Sequence, residues 1–393
     1  MEQKLDKKIN AAFLLGVMGD MIGFGNGKTE FNNNNQYTKD NFGDNFIISG
    51  GDYSNELVFN FIADGGFYAH PKSDYTVSDD SIMLLANAKA IIKWFKSNSD
   101  SDSELDMDQL INLIRLEYVA LIKERLDLDK FDRVYGGGHT TIKYLKKLMT
   151  GDDYKKFAYD DNAGGSGGSM RSMIFGTVFY KEEDILKLIE SCIESTCLTH
   201  PNAIAFLGSV VVALMTAFAM RGIEPKRWCS DMLEILESDI IDNYMRTHYE
   251  SRLSFYHRDK KIFLNKWKNY REDKFDEYDN TYKKSRTMKY PSQRSIYYHT
   301  FSSREKIMNP GAGGDDSVIV AYDCFMDAND SWDKLVFYSM LHVGDSDTTG
   351  IIAGYLFGSY YGLNKVYTKM IDNMIDHKDE VIEISKKICG IIV

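Results

Sequence analysis

GDSDTTGIIAGYLFGSYYGL occupies Gly344–Leu363, and its glycines at positions 350, 354, 358 and 362 recur at every fourth residue. Positions four apart share one face of an α-helix, so Asp347–Leu363 is predicted to be a helix with a glycine stripe. A helical glycine costs roughly 1 kcal/mol relative to alanine. The stripe therefore predicts a central helix that another helix approaches closely. Residues 9–24 are also predicted to form a buried helix, with small residues on one side: Ala12, Gly16, Gly19 and Gly23.

Apolar residues at helical spacing continue through the rest of the chain. They predict helices over 79–97, Ser103–Leu128, Thr140–Met149, Lys181–Cys197, Ala203–Met220, Pro225–Asp239, Asp316–Ala328 and Trp332–Leu341. Only five prolines occur in 393 residues, and we find no β-alternation or βαβ rhythm. The sequence predicts an all-α fold, a compact orthogonal multi-helix bundle. Residues 1–393 are expected to form a single domain, with 241–313 as an insertion of weak periodicity.

The charge and cysteine content exclude several classes of protein. The chain has 47 basic and 58 acidic residues, a formal net charge of −11, whereas a nucleic-acid surface needs a basic footprint. Its five cysteines are scattered and form no CxxC pair, which argues against a disulfide framework and against zinc. The N-terminal apolar run is too short for a convincing signal peptide, and Ala203–Met220 has the polar interruptions of a buried helix. We expect a cytoplasmic monomer without nucleic-acid or membrane partners.

Two acidic clusters each stand immediately before a predicted helix. The first is Val77–Ser81, with Asp79 and Asp80, and the second is Gly344–Thr349, with Asp345 and Asp347. Helix capping alone would explain one acidic residue per cluster, and it leaves the second unexplained. Paired carboxylates repel each other unless a cation or a proton lies between them. If the two helix starts converge, their oxygen ligands suit one or two magnesium or manganese ions.

An Asp-x-Asp sequence also occurs in haloacid-dehalogenase-type phosphatases, but there it follows an apolar β-strand near the N-terminus of an α/β domain. Here it lies near the C-terminus among predicted helices, which disfavours that interpretation. Three glycine-rich segments accompany the acidic clusters: Tyr135–Thr140, Gly164–Arg171 and Gly311–Asp316. Singly, each is typical of a flexible connection. Before helix N-termini, such segments can wrap phosphates with backbone N–H groups, so together they favour a phosphorylated ligand beside a metal centre.

These motifs resemble those of the ADP-ribosylglycohydrolases over about residues 9–365. The resemblance rests on Gly19-Asp20-Met21-Ile22-Gly23, Val77–Met83, Gly136-Gly137, Gly167–Met173, Leu198-Thr199-His200, Ala321-Tyr322-Asp323, Asp330-Ser331-Trp332 and Gly344–Thr349. Asn26–Phe31 and Lys266–Tyr270 favour the arginine-specific branch. Four residues depart from the family pattern. Val343 stands where the family usually has a glycine, Asp315 replaces a residue that is often His, and Gly168 and Ser169 replace an Ala-Ala pair.

The resemblance implies roles for particular residues. Two magnesium ions, with manganese as a substitute, would be bound by Ser78, Asp79, Asp80, Asp345, Asp347 and Thr348. Glu30 matches an acidic residue on a loop at the metal site. Contacts with ADP-ribose are implied for Gly136, Gly137, Gly138, Arg171, Ser172 and Met173, and His200 is expected near the same cleft.

The implied reaction is magnesium-dependent hydrolysis of the N-glycosidic bond between ADP-ribose and arginine side chains of modified proteins. Asp79, Asp80 and Glu30 are the candidates for the carboxylate that takes a proton from water. Two alternatives stay open. One is a catalytically silent relative that binds ADP-ribose, and the other is a hydrolase of ADP-ribosylserine or O-acetyl-ADP-ribose.

Overall fold

The computed structural model describes residues 2–27, 29–30, 46–68, 75–98, 106–125, 137–278, 280–283, 294, 297–298, 300, 309–364, 366–367, 371–372 and 377–392. Throughout these residues the regular structure consists of α-helices and short 3₁₀ turns. Two isolated β-bridges, Gly165 with Gly313 and Phe275 with Tyr282, are the sole strand-like pairings there. The predicted all-α fold is therefore confirmed.

The helices of the described residues are numbered in chain order. They are α1 (Glu2–Phe24), α2 (Phe46–Ala63), α3 (Asp79–Asn98), α4 (Met107–Arg125), α5 (His139–Met149), α6 (Met173–Val178), α7 (Ile185–Cys197), α8 (Ala203–Arg221), α9 (Pro225–Glu237), α10 (Asp239–His248), α11 (Leu253–Lys274), α12 (Ser317–Ala328), α13 (Trp332–Ser339), α14 (Ser346–Tyr361) and α15 (Lys378–Ile392).

Helices α1 and α14 form the central pair and touch backbone to backbone. A Cβ atom on Gly19 would lie 2.1 Å from the carbonyl oxygen of Gly350, and one on Gly23 would lie 2.1 Å from that of Ser346. Residues later in α1 contact residues earlier in α14, so the two helices run antiparallel. The C-terminal end of α1 consequently lies against the N-terminal end of α14, where the second acidic cluster begins.

The glycine stripe confirms the close helix approach that the sequence predicts, with one correction. Gly350, Gly354 and Gly358 contact α1, but Gly362 lies beyond the end of α14 with a φ of +71°. This left-handed conformation suits a residue without a side chain. The fourth glycine therefore ends the helix and takes no part in the stripe.

The region from 241 to 305 contains more helix than its sequence pattern indicates. Helices α10 and α11 cover much of it, and α11 alone spans 22 residues. Its buried positions include the charged residues Asp259, Lys260 and Lys274, which removes the simple apolar periodicity. Helices α2 and α15 were likewise not predicted.

Helix α8 is buried in the core, where it packs against α6 and α7. Within the described residues it alone is long and apolar enough to cross a membrane, and 94% of its apolar window is buried inside the protein. Burial of this kind is typical of a core helix.

The α1–α14 contact predicts opposite effects for two glycine-to-alanine changes. A Cβ on Gly354 would lie 2.2 Å from the Leu15 carbonyl oxygen, whereas Gly390 in α15 has no atom within 4 Å of such a position. We expect Gly354→Ala to lower the free energy of unfolding by about 1–3 kcal/mol or more, through overpacking. Gly390→Ala should leave it unchanged or raise it by up to about 1 kcal/mol. Urea unfolding measures both, and equal effects would contradict the packing described here.

Candidate metal centre

The two acidic clusters meet in space. The Ser78 hydroxyl, which directly precedes α3, lies close enough to Asp347 in the first turn of α14 to lower the pKa of that carboxyl. The Asp345 and Asp347 carboxyl groups also interact with each other, which raises the pKa of Asp347. The convergence follows from the helix packing, because α1 contacts both α3 and α14.

A third stretch of chain adds another carboxylate to the cluster. Glu30 lies in the turn that follows α1 and its short 3₁₀ continuation. One carboxylate oxygen each from Glu30, Asp345 and Asp347 lie within 4.8 Å of one another. Oxygens this close suit a single shared cation.

Burial makes this concentration of negative charge unfavourable without a counter-ion. It raises the pKa of Asp79 well above its ordinary value, and the charges of Asp347 and Asp20 raise it further. The same causes, burial first and then Asp347, act on the pKa of Asp80. Burial raises the pKa of Asp345 to about 6. The cluster therefore requires protons or metal ions to neutralise it.

The donor atoms fit a hard divalent cation. Every donor in the cluster is a carboxylate or hydroxyl oxygen, which suits magnesium or manganese and disfavours zinc. The Oδ2 atom of Asp80 is buried and has no hydrogen-bond partner among the described residues. The Thr348 hydroxyl lies beside Asp345 in the same cluster and lowers the pKa of that carboxyl. All six residues for which the sequence implies metal binding are thus together: Ser78, Asp79, Asp80, Asp345, Asp347 and Thr348.

The described parts of the three glycine segments border this cluster. Gly138, which directly precedes α5, lies close enough to Asp79 for its N–H group to lower the pKa of that carboxyl. Gly137 precedes it, and Gly136 lies outside the described residues. The Ser166 hydroxyl donates to Asp345 at 3.1 Å, and the Asp345 N–H donates to the Pro310 carbonyl at 3.0 Å. Described residues of all three glycine segments therefore lie next to the acidic cluster.

Asp20 and Asp316 also belong to this region, and sequence reasoning assigned neither a role. Asp20 is fully buried in α1, and burial, followed by the charge of Asp347, raises its pKa to about 7. Burial and Asp315 raise the pKa of Asp316 to about 7, and its carboxylate accepts a hydrogen bond from the Gly313 N–H at 2.8 Å. The sequence does contain a signal for Asp20, because an acidic residue on the glycine-lined side of a buried helix indicates a functional or structural role.

The side chain of Arg171 is completely buried beside the acidic cluster. Its guanidinium donates to Thr199 Oγ1 at 2.7 Å and lies 4.9 Å from the centre of the Tyr118 ring. Burial lowers its pKa, and the charges of Asp79 and Asp80 oppose that effect. Arg171 is therefore a fixed cation that offsets part of the negative charge.

Its neighbours with implied ADP-ribose contacts are buried too. The Ser172 hydroxyl donates to the Gly168 carbonyl at 2.8 Å, and Met173 lies in the core. His200 Nδ1 lies 2.9 Å from Thr199 Oγ1, and its ring packs over Gly167 in the second glycine segment. The structure thus places these side chains behind the glycine segments, and their contact with ADP-ribose stays a prediction.

Comparison with known proteins assigns the family. A family model described as ADP-ribosylglycohydrolase matches residues 1–392. The chain belongs to this family. It is 34% identical over 350 residues to a putative ADP-ribosyl glycohydrolase, L444, of Acanthamoeba polyphaga mimivirus, a match that covers 88% of the chain and 62% of that relative.

A second relative is similar over most of its length. The ADP-ribosylhydrolase ARH1 of Dictyostelium discoideum is 29% identical over 381 residues, covering 92% of the chain and 88% of the relative. Among solved structures, an ADP-ribosylglycohydrolase-related protein complex matches 98% of the chain and all of its counterpart, with a TM-score of 0.53 and 15% identity. At that identity the likeness shows the shared fold alone.

The buried carboxylates predict an unusual pH dependence for the metal-free ADP-ribosylglycohydrolase. Asp20 and Asp345 have folded-state pKa values of about 7 and about 6, above the ordinary aspartate value of 3.8. Between about pH 4 and about pH 7 the folded state therefore binds more protons than the unfolded state, so stability falls as pH rises through this window. Thermal unfolding in EDTA should show that fall, and excess magnesium should flatten it. A metal-free melting temperature that rises across the window would contradict the charge account.

The counter-charge role of Arg171 predicts that its loss matters most without metal. We expect Arg171→Met to destabilise the metal-free protein by about 3 kcal/mol, because it removes a cation from a buried charge cluster. Bound magnesium should reduce that loss. Arg252→Met is a matched control, since Arg252 is also a buried arginine beside a tyrosine ring. Its guanidinium lies 4.6 Å from the centre of the Tyr249 ring and donates to the Phe157 carbonyl. Urea unfolding with and without magnesium should separate the variants, and equal losses for Arg171→Met in both conditions would leave only a packing role.

Proposed function

We propose that this chain hydrolyses the N-glycosidic bond between ADP-ribose and arginine side chains in a magnesium-dependent reaction. The observation that carries the proposal is the meeting of two carboxylate pairs and Glu30 at one buried centre. Family membership supports cleavage of an ADP-ribosyl linkage. A relative from Dictyostelium that is named an ADP-ribosylhydrolase supports the same reaction class.

The residues that would hold two magnesium ions are Ser78, Asp79, Asp80, Asp345, Asp347 and Thr348. Such ions would supply charge stabilisation at the ribose hydroxyls and acidify a nearby water molecule. The protein holds the ligands in place through the packing of α1 against both α3 and α14. Fixed ligands matter because small misplacements of reacting groups cost large factors in rate.

The hydrolysis step requires one carboxylate to move a proton. Water oxygen forms a bond to ribose C1″ while the bond from C1″ to the guanidine nitrogen breaks. The water proton passes to a carboxylate, and the released guanidine of arginine takes up a proton. Glu30 is the partly exposed member of the cluster, whereas Asp79 and Asp80 are buried. Its place at the edge supports Glu30 as the group that exchanges protons.

The glycine segments provide binding for the diphosphate of ADP-ribose without added positive charge. The chain has a net charge of −11, so an anionic ligand needs local donors. Backbone N–H groups at a helix start, such as those of Gly137 and Gly138 before α5, are suited to phosphate oxygens.

The arginine linkage rests on two stretches of sequence. Asn26–Phe31 contains Glu30, and Lys266 in the Lys266–Tyr270 stretch pairs with Asp315 at 2.7 Å. That ion pair fixes α11 to the third glycine segment, next to Asp316. Glu30 from the first stretch therefore lies in the acidic cluster, and Lys266 from the second lies beside the third glycine segment, which supports a role for both stretches in binding the substrate.

Release of ADP-ribose from arginine-, serine- and acetyl-linked substrates, with and without magnesium, tests the proposal. We expect turnover of the arginine-linked substrate alone, and only with magnesium or manganese. Asp79→Asn and Asp347→Asn should each lower that activity at least ~100-fold, because they remove charged metal ligands. Asp152→Asn makes the same chemical change at an exposed position and should retain activity.

The other outcomes decide between the alternatives. Turnover of the serine- or acetyl-linked substrate would contradict the arginine specificity. Binding of ADP-ribose without turnover of any substrate would establish a catalytically silent relative. Near-normal rates in Asp347→Asn would remove the acidic cluster from the reaction.

A further inference from the structure

The carboxylate of Asp20 bridges two helices at the acidic centre. Asp20 belongs to α1 and is fully buried. Its Oδ1 and Oδ2 atoms lie 3.2 and 3.1 Å from the Ser78 nitrogen, and Oδ2 lies 3.2 Å from the Ser81 nitrogen. Both oxygens therefore accept hydrogen bonds from the backbone at the start of α3.

These N–H groups belong to the turn that carries the first acidic pair. The first N–H groups of a helix have no partner within the helix, and a nearby side chain normally accepts from them. Among the described residues, the Ser78 hydroxyl accepts a hydrogen bond from the Asp80 N–H alone, at 3.1 Å. Asp20, from a different helix, accepts from the N–H groups of Ser78 and Ser81. The cap of α3 is thus completed by α1.

The same turn of α1 also holds the start of α14. The Ser346 hydroxyl donates to the Gly23 carbonyl at 2.8 Å, and the backbones of these two residues touch. Residues 19–23 of α1 therefore contact both helix starts that carry acidic pairs. A change in this turn would alter the position of one pair relative to the other.

We propose that Asp20 is a positioning residue, which holds the Ser78–Ser81 turn so that Asp79 and Asp80 face the same cation as Asp345 and Asp347. This inference rests on the metal centre of the proposed function. The geometry favours positioning over direct ligation, because each Asp20 oxygen already accepts from the backbone of α3. Residues that orient metal ligands typically contribute about 10–100-fold to metal affinity.

Manganese binding by isothermal titration calorimetry tests the inference separately from hydrolysis. We expect Asp20→Ala to weaken Mn²⁺ binding by about 30-fold or more, because the α3 turn loses its acceptor. Asp20→Asn keeps one amide oxygen as an acceptor and should bind Mn²⁺ within about 10-fold of the wild type. Asp347→Asn, which removes a proposed ligand, should lose far more affinity than Asp20→Asn.

Ser238→Ala is the matched control, because Ser238 caps α10 through the Ile240 N–H and takes no part in the acidic cluster. It should bind Mn²⁺ like the wild type. Circular dichroism establishes folding, and if Asp20→Ala does not fold, the comparison of Asp20→Asn with Asp347→Asn decides. Wild-type Mn²⁺ affinity in folded Asp20→Ala would overturn the inference. Equal losses of Mn²⁺ affinity in Asp20→Asn and Asp347→Asn would also overturn it, because they would indicate that Asp20 is itself a metal ligand.

The readouts also separate this inference from the proposed function. A wild-type protein that binds Mn²⁺ but releases no ADP-ribose would contradict the hydrolase proposal and leave the role of Asp20 intact. A protein that hydrolyses its substrate, and whose manganese affinity does not depend on Asp20, would contradict the role of Asp20 and leave the hydrolase proposal intact. Absence of Mn²⁺ binding in the wild type would overturn both.

Discussion

The close contact of α1 with α14 is the constraint on which the candidate centre depends. Glycines allow the two backbones to touch, and the antiparallel register brings the end of α1 to the start of α14. Asp20 then connects that end of α1 to the start of α3. Two acidic pairs that are far apart in sequence thereby come together. The glycine stripe costs helix propensity at each position, and close packing of the helix offsets that cost.

The centre is electrostatically unfavourable without a cation, and this property connects stability to function. Burial and mutual repulsion raise the pKa values of the carboxyl groups. Shifts of this kind are typical of functional sites, where charged groups serve ligand binding at the expense of folding stability. Arg171 supplies one fixed positive charge that interacts with Asp79 and Asp80. One cation cannot neutralise the whole cluster. The remaining negative charge therefore favours divalent metal ions, whose binding would stabilise the folded protein.

Much of the fold and of the centre could be predicted because the signals were local. Paired acids before apolar helices indicated the two acidic stretches that meet in the structure, and the glycine period predicted the α14 packing. Helix α11 was missed because Lys260 and Lys274 are buried through ion pairs with Asp242 and Asp323, which no local pattern encodes. The role of Asp20 could not be predicted for a related reason, since its hydrogen-bond partners are backbone N–H groups at the start of another helix. Such tertiary contacts leave no period in the sequence.

The location of bound metal is the most direct test of this account. Crystals grown with Mn²⁺ and measured for anomalous scattering would show each ion and its ligands. The account predicts one or two ions at about 2.0–2.3 Å from oxygens of both acidic pairs, Asp79 with Asp80 and Asp345 with Asp347. Ions that contact only one pair, or an acidic cluster that holds no ion at saturating Mn²⁺, would contradict it.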